Sequence, residues 1–338
     1  MNGVICEEVR QLVWTTNLPE PELQPGYAIV AIRRIGICGT DLHAFQGQQP
    51  FFTYPRILGH ELSGVIEAIS DHNSDLKVGD PVSIIPYLHC GQCAACRSGK
   101  TNCCRSMKVM GVHEDGGMRE RIAVPITHLI PAHDLTLDQA ALLEPLAIGA
   151  HAVRRSALTA GQSVLVIGAG PIGLGVMALA RHQGAHVIAL DMNEERLEFC
   201  QSWAGVNDTI HAKDDVQARL LELLDGELPL LVFDATGSVA SMTNAFQLVG
   251  HGGTLVFVGL FKGDITFNDP HFHSREMTLM ASRNATLEDF ETVREALGAG
   301  FADLERYVTH RCTLEELPER LEGWTKPEAG VIKALVSV

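Results

Sequence analysis

The stretch Val164-Leu-Val-Ile-Gly-Ala-Gly-Pro-Ile-Gly173 decides how this 338-residue chain is read. Its four apolar residues, Val164 to Ile167, run straight into Gly168, Gly170 and Gly173 in the pattern G-x-G-x-x-G. A continuous apolar run suits a parallel strand buried on both faces. The first glycine permits a tight turn, the second a close approach by a pyrophosphate, and the third close packing of helix on sheet. The N-terminus of the following helix then faces the phosphates. The pattern alone is weak; the strand before it and the helical segment after it supply its context. Asp191 ends the next apolar run, His186-Val-Ile-Ala-Leu190. A carboxylate there accepts hydrogen bonds from the ribose hydroxyls and repels a 2′-phosphate. The stretch therefore predicts a dinucleotide site at Gly168, Gly170, Pro171, Ile172, Gly173 and Asp191, with NAD favoured over NADP. Arg196 is counted with this set as a flank for the adenine edge, although a solvated helix face is its plainer reading.

Outward from this stretch the same texture repeats. Leu230-Leu-Val-Phe233 and Thr254-Leu-Val-Phe-Val258 are further apolar runs, and helical segments alternate with them. One such helix is capped by Asn193 and carries Leu197, Cys200 and Ala204 on one face. The alternation predicts an α/β domain with a doubly wound parallel sheet over residues 147–283. Val258 and Ser282 are counted among its cofactor-binding residues. After Ser282, Thr286 caps a helix with Asp289 three residues on and an apolar stripe of Leu287, Phe290, Val293 and Leu297.

The first 146 residues differ. Short β-branched runs such as Tyr27–Ile32, Gly64–Ile69 and Pro81–Ile85, set among glycines and prolines, predict an antiparallel, barrel-like domain with loop-borne sites. The closing run Val331-Ile-Lys-Ala-Leu-Val336 reads as a strand that returns to this domain, making it discontinuous, with residues 284–338 joined to 1–146.

Two constellations lie in that domain. Cys90, Cys93, Cys96 and Cys104 read C-G-Q-C-A-A-C-x7-C, with Gly91 and Gly99 allowing tight turns. Four thiolates at this spacing can close a tetrahedral shell around one structural zinc. Disulfides are disfavoured because nothing suggests secretion; Cys103 is read as a spectator. A closed four-thiolate site does no chemistry, so the reaction is sought elsewhere. Cys38, in Gly36-Ile-Cys-Gly-Thr-Asp-Leu-His43, and His60 with Glu61, in Gly59-His-Glu-Leu-Ser-Gly64, offer ligands on two turns. Glu144, in Leu143-Glu-Pro-Leu146, offers another where the two textures meet. A catalytic zinc takes three protein ligands and keeps one open position, and this set can supply them. The open position would bind a substrate hydroxyl that NAD then oxidises. Thr40 and His43 are read as a path for the released proton, with a surface-loop histidine as the plain alternative for His43. Glu61 is counted as catalytic as well as a ligand, and Asp41 as a partner orienting His60.

Composition limits the partners. With 26 basic and 41 acidic residues the formal charge is −15, which repels nucleic-acid backbones and anionic membranes. The acidic N-terminal residues Glu7 and Glu8 and the lack of an apolar core there argue against a signal peptide. Glycines crowd the one long apolar stretch, Val164 to Ala180, so it is a poor membrane span. A cytoplasmic, soluble protein acting on a small molecule is expected.

Cys38, Gly59-His60-Glu61, the four-cysteine lobe, Val78-Gly-Asp80 and Gly168–Gly173 together resemble the zinc-dependent medium-chain dehydrogenases. The resemblance implies a GroES-like catalytic domain with a Rossmann domain, one catalytic and one structural zinc per chain, and a homodimer or homotetramer. Glu144 stands where the alcohol dehydrogenases of that family carry a cysteine, as in the sorbitol and threonine dehydrogenase branch. In that branch Cys38, His60 and a glutamate (Glu61, Glu144 or both by turns) would hold the metal. Gln49-Pro-Phe-Phe52, Thr101-Asn-Cys-Cys104, Val258–Gly263 and Ser282–Thr286 resemble bacterial dehydrogenases of L-hexonates. These imply oxidation of the C5 hydroxyl of a sugar acid such as L-galactonate or L-gulonate to a keto-hexuronate. Arg283 matches a substrate-pocket arginine of the sorbitol dehydrogenases, with contact to cofactor or a neighbouring chain as the alternative; Lys262 is a further candidate for the substrate carboxylate. The chain departs from the family at Ser70 and Asn73, and at Gly116-Gly-Met-Arg-Glu-Arg121, whose arginines are surface charge or an aid to an approaching anion. A polyol or L-threonine dehydrogenase is the alternative within this class, and a non-catalytic sensor of NAD and zinc the alternative outside it.

Overall fold

The computed structural model describes residues 1–49, 52–71 and 74–338, so Pro50, Phe51 and Asn73 of the segments above lie outside the described residues. The chain divides into two compact units, Met1–Pro145 with Thr286–Val338, and Leu146–Ala285.

In the first unit the strand Tyr27–Ile37 is the organiser. Its alternating burial turns Ala28, Val30 and Ile32 into the core. It pairs antiparallel with Glu61–Ile69, with Arg121–Pro125 and with Lys333–Ser337. The sheet continues through Pro81–Ile84 to Leu129–Pro131 on one side and to Val308–Thr313 on the other. The last strand begins at Lys333, two residues later than the apolar run suggests. Its register sets Ala334 against Ile37, while Gly36 faces Glu61. Cys38, Glu61 and Lys333 thus sit at the same end of three neighbouring strands. The core beneath is apolar, with Ile32, Ile35, Leu58, Leu62, Ile66 and Ile84 fully buried.

The second unit is a six-stranded sheet, all parallel, ordered Asp208–His211, His186–Asp191, Ser163–Ile167, Leu231–Asp234, Thr254–Phe257, Thr278–Ala281. Numbered along the chain that order is 3-2-1-4-5-6, the doubly wound arrangement expected from the alternating texture. Its central strands, Val164–Val166, Val187–Ala189 and Val232–Phe233, are wholly buried, as two covered faces require. Chain order reverses between Ser163–Ile167 and Leu231–Asp234, and ligands of such sheets bind outside the carboxyl ends of the strands at that point. Among the described residues no helix is long and apolar enough to cross a membrane.

Candidate metal centres and cofactor crevice

The four-cysteine lobe is built by local turns. Gly91 (φ 70°) and Gly99 (φ 77°) adopt the left-handed region, and Cys93 caps the short helix Ala94–Arg97 that carries Cys96. A 3-10 turn, Thr101–Cys103, then delivers Cys104. The four sulfurs lie within 4.8 Å of one another. Every cysteine is free, and the 3.5 Å between Cys93 and Cys96 Sγ is far beyond a disulfide. The backbone amides of Cys90 and Ser106 both donate to Cys104 Sγ at 3.3 Å. Backbone N–H groups of Arg105 and Cys96 bring the Cys93 thiol down to about 6, while burial pushes the neighbouring Cys96 thiol up to about 12. Convergent sulfurs held by amides fit a closed tetrahedral ion site. Cys103 is exposed and is not one of the group.

Cys38, His60 and Glu61 form the second group, with ligand atoms again within 4.8 Å of one another. Cys38 is the N-cap of the helix Gly39–Phe45, and Glu61 opens its strand. His60 is 4 % exposed and Glu61 is completely buried. Gly36 makes room for that carboxylate, because a Cβ there would lie 2.0 Å from Glu61 Oε2. Lys333, 2 % exposed, donates from Nζ to Glu61 Oε1 at 2.6 Å, to Oε2 at 2.9 Å and to Ile37 O at 3.2 Å. Burial alone would lower the Lys333 pKa; the facing Glu61 carboxylate more than reverses that and keeps the ammonium charged.

Glu144, in the first turn of the helix Leu143–Arg155, is buried and receives the Tyr87 hydroxyl on Oε1. Its second oxygen, Oε2, and His60 Nδ1 are buried without a hydrogen-bond partner among the described residues. Burial lifts the Glu144 carboxyl to about 7, although His60 opposes the rise. Burial would lower the His60 pKa, but Asp41, Cys38 and Glu144 more than offset it. Glu144 Oε2 and His60 Nδ1, unmet among the described residues, together with the converging Cys38, His60 and Glu61 atoms, make a place that a cation fits.

Asp41 does not take the expected role directly. Its oxygens accept from the amides of Cys38 (2.9 Å) and Gly59 (3.1 Å), and Oδ1 stays 3.7 Å from His60 Nδ1. It ties the turn that carries Cys38 to the one that carries His60 through their backbones. Thr40 and His43 lie three residues apart on one helix, a spacing that shares a face, and His43 is exposed.

In the second unit the expected cofactor residues all gather at the carboxyl ends of the strands. Gly168 (φ 97°) follows Ser163–Ile167, and Gly170 caps the helix Pro171–His182 with Pro171 and Ile172 in its first turn. A Cβ on Gly173 would lie 1.8 Å from Gly168 O, so only glycine fits that crossing. Asp191 ends its strand, accepting from Ala169 N at 2.6 Å and Asn193 N at 2.8 Å. Arg196 departs from the solvated-face reading: its Nη1 sits 3.5 Å from Ala169 O, against the glycine turn. Val258 and Ser282 follow the next two strands, donating from their amides to Asp234 O at 2.9 Å and Phe257 O at 2.8 Å. The Ser282 hydroxyl is buried and unpartnered among the described residues. Asp234, buried and accepting from Thr236 N, Thr236 Oγ1 and Ser241 Oγ, braces the crevice and was not singled out by sequence. Lys262 and Arg283 are exposed on loops of this unit. Of the departures in the first unit, Ser70 Oγ accepts from Tyr27 N at 3.1 Å, and Arg121 pairs with Glu67 at 2.7 Å. Lys333 and Tyr87 were also missed; the one available signal was a lysine inside an otherwise apolar strand.

The profile of the alcohol dehydrogenase GroES-like domain matches residues 24–134, and that of zinc-binding dehydrogenase matches residues 171–299. The chain is 44% identical over 338 residues to the L-galactonate-5-dehydrogenase of Escherichia coli (strain K12), covering 100% of this chain and 99% of that one. An alcohol dehydrogenase from Escherichia coli CFT073, solved with NADH, superposes with a TM-score of 0.92 at 27% identity, over 100% of this chain and 99% of its own. A dehydrogenase from Sinorhizobium meliloti 1021, solved with NADP, gives 0.91 at 27% identity over the same shares. The likeness extends over the whole length and through both units, and this chain belongs to the zinc-dependent medium-chain alcohol dehydrogenase family.

Proposed function

We propose that the chain is an NAD-dependent, zinc-dependent sugar-acid dehydrogenase that oxidises the C5 hydroxyl of an L-hexonate, such as L-galactonate or L-gulonate, to the keto-hexuronate. The observation that carries this reading is the 44% identity to an L-galactonate-5-dehydrogenase along the full chain. The convergent Cys38–His60–Glu61 group in the same chain supports it.

Cys38 and His60, with Glu61 or Glu144, would hold a catalytic zinc, and Cys90, Cys93, Cys96 and Cys104 a structural one. Zinc at the first site would supply Lewis-acid polarisation of a hydroxyl oxygen, and bound NAD a hydride acceptor. The chain's residues do the rest. Thr40 Oγ1 accepts the hydroxyl proton as it gives its own to the relay that ends at His43, which is exposed on the next turn and releases a proton to solvent. Gly168, Gly170 and Gly173 let the backbone meet a pyrophosphate, and the Pro171–His182 helix points its N-terminus at it. Asp191 selects NAD by accepting ribose hydroxyls and repelling a 2′-phosphate. Arg196 lines the same turn. Arg283 and Lys262 bind the substrate carboxylate, a necessary local attraction in a chain of net charge −15.

The test is NADH formation with L-galactonate, L-gulonate, sorbitol and L-threonine side by side, before and after chelation. Chelator-sensitive turnover confined to a hexonate supports the proposal and names the epimer, a choice resting on contacts worth about 1–3 kcal/mol each. Turnover only of sorbitol or threonine keeps the chemistry and overturns the sugar-acid assignment. Binding of NAD and zinc without turnover of any of the four overturns the L-hexonate assignment and places the substrate outside this panel.

A further inference from the structure

Glu61 converges with Cys38 and His60, Glu144 interacts electrostatically with His60 and Glu61, and the fold restrains these two buried carboxylates differently. Both oxygens of Glu61 are claimed by Lys333 Nζ. On Glu144, Oε1 receives the Tyr87 hydroxyl while Oε2 is buried without a partner among the described residues. Unmet buried carboxylate oxygens are rare and costly, and they mark places where something else binds. Tyr87 is itself fixed. It is 4 % exposed, its backbone pairs with Val109, and its carbonyl accepts from His128 Nε2 at 3.3 Å. Its ring stands edge-on to Phe290 with centroids 6.3 Å apart. The hydroxyl therefore has a set position, and Glu144 is oriented from it.

We propose that Tyr87 is the positioning residue for Glu144, holding Oε1 so that this carboxylate meets the catalytic metal through Oε2 alone. The inference rests on the zinc reading above. Tyr87 touches neither metal nor substrate in this account; it acts through Glu144. Removing its hydroxyl frees the carboxylate to rotate and to offer either oxygen or both.

The experiment compares wild type, Tyr87→Phe, Glu144→Ala and the double variant. Zinc affinity is measured by chelator competition, and the ligand field by the visible spectrum of the cobalt(II)-substituted protein. Tyr87→Phe should weaken one metal site about 10-fold, in the range typical of groups that orient metal ligands, and leave the four-cysteine metal in place. Its cobalt spectrum should shift. In the Glu144→Ala background the same change should have no further effect on either readout. Wild-type affinity and spectrum in Tyr87→Phe would overturn the proposal, as would an equal loss with and without Glu144. Should Glu144→Ala fail to fold, the affinity and spectrum of Tyr87→Phe still decide. A wild-type protein that takes no metal beyond the four-cysteine site defeats the zinc reading itself. A metal-loaded, active wild type with an indistinguishable Tyr87→Phe defeats only the role of Tyr87.

Discussion

Replacing Lys333 with methionine keeps most of the stem's volume and deletes the ammonium. That ammonium makes three contacts, to Glu61 Oε1 (2.6 Å), Glu61 Oε2 (2.9 Å) and Ile37 O (3.2 Å), in a site where the two side chains are 2 % and 0 % exposed. Deleting one partner of such a pair strands the other charge, at a typical cost of about 3–5 kcal/mol. Methionine fills the space, so the cavity contribution is small. A bound cation would neutralise part of the stranded charge on Glu61, and the loss should therefore be larger in chelated protein than in zinc-loaded protein. Adding Glu61→Gln removes the stranded charge and should restore more than half the loss. Urea unfolding followed by tryptophan fluorescence in a Trp203→Phe background measures this, since the remaining Trp14 and Trp324 both belong to the first unit. The facing carboxylate holds the Lys333 pKa above its ordinary value. The pair's contribution is thus complete below the unfolded lysine value near ~10.4 and is lost only as pH rises through the higher folded one. The deficit of Lys333→Met should accordingly be flat between about pH 6 and about pH 9. A chelated variant within about 1 kcal/mol of wild type, or a double variant no more stable than the single, would refute the reasoning.

Three further outcomes follow from other parts of the molecule. Asp191→Ser removes a carboxylate that also accepts two backbone amides, so kcat/KM with NAD should fall about 10- to 100-fold, the equivalent of one charged hydrogen bond, while the ratio for NADP over NAD rises. Steady-state kinetics with both cofactors checks it, and an unchanged ratio removes Asp191 from the selectivity argument. Cys96→Ser should cost one zinc per chain by metal analysis and leave the other, since the sulfurs of the lobe are a group separate from Cys38. Asp138 accepts from Arg34 Nε and Arg311 Nη1, both at 2.6 Å. Burial would raise its pKa, but the two guanidiniums outweigh it and hold it below the usual value. Asp138→Asn should cost about 1 kcal/mol near neutrality, because the group is partly exposed. The difference should vanish as pH falls through the folded pKa, below ~3.9, since a depressed carboxyl stabilises only while ionised. Unfolding curves at neutral and acid pH test the sign.

What could be read from the sequence was local. The strand, glycine turn and Asp191 lie within about thirty residues of one another, and the four cysteines within fifteen, so spacing alone limits what they can build. The doubly wound sheet followed from apolar runs that only a doubly covered strand tolerates. Contacts across long separations were not legible. Lys333 reaches Glu61 over 272 positions, because two strands flanking Tyr27–Ile37 begin at the same level. Tyr87 finds Glu144 over 57 positions, and no periodicity marks it. Asp41 was recognised as a support for the site, but its partners are the amides of Cys38 and Gly59. A backbone partner leaves no trace in residue identity. Arg196 turned out to lie on the glycine turn for the same reason: its helix could be predicted, but not the direction its long side chain takes.

The central claim is that Cys38, His60 and a neighbouring glutamate hold the metal on which turnover depends. The most direct measurement is a paired one on the Cys38→Ser variant and wild type, recording zinc per chain and NADH formation from L-galactonate. The account predicts two zinc ions in wild type and one in the variant, with turnover abolished and the second unit still binding NADH. Full turnover in Cys38→Ser, or wild-type turnover that survives complete removal of zinc, would contradict it.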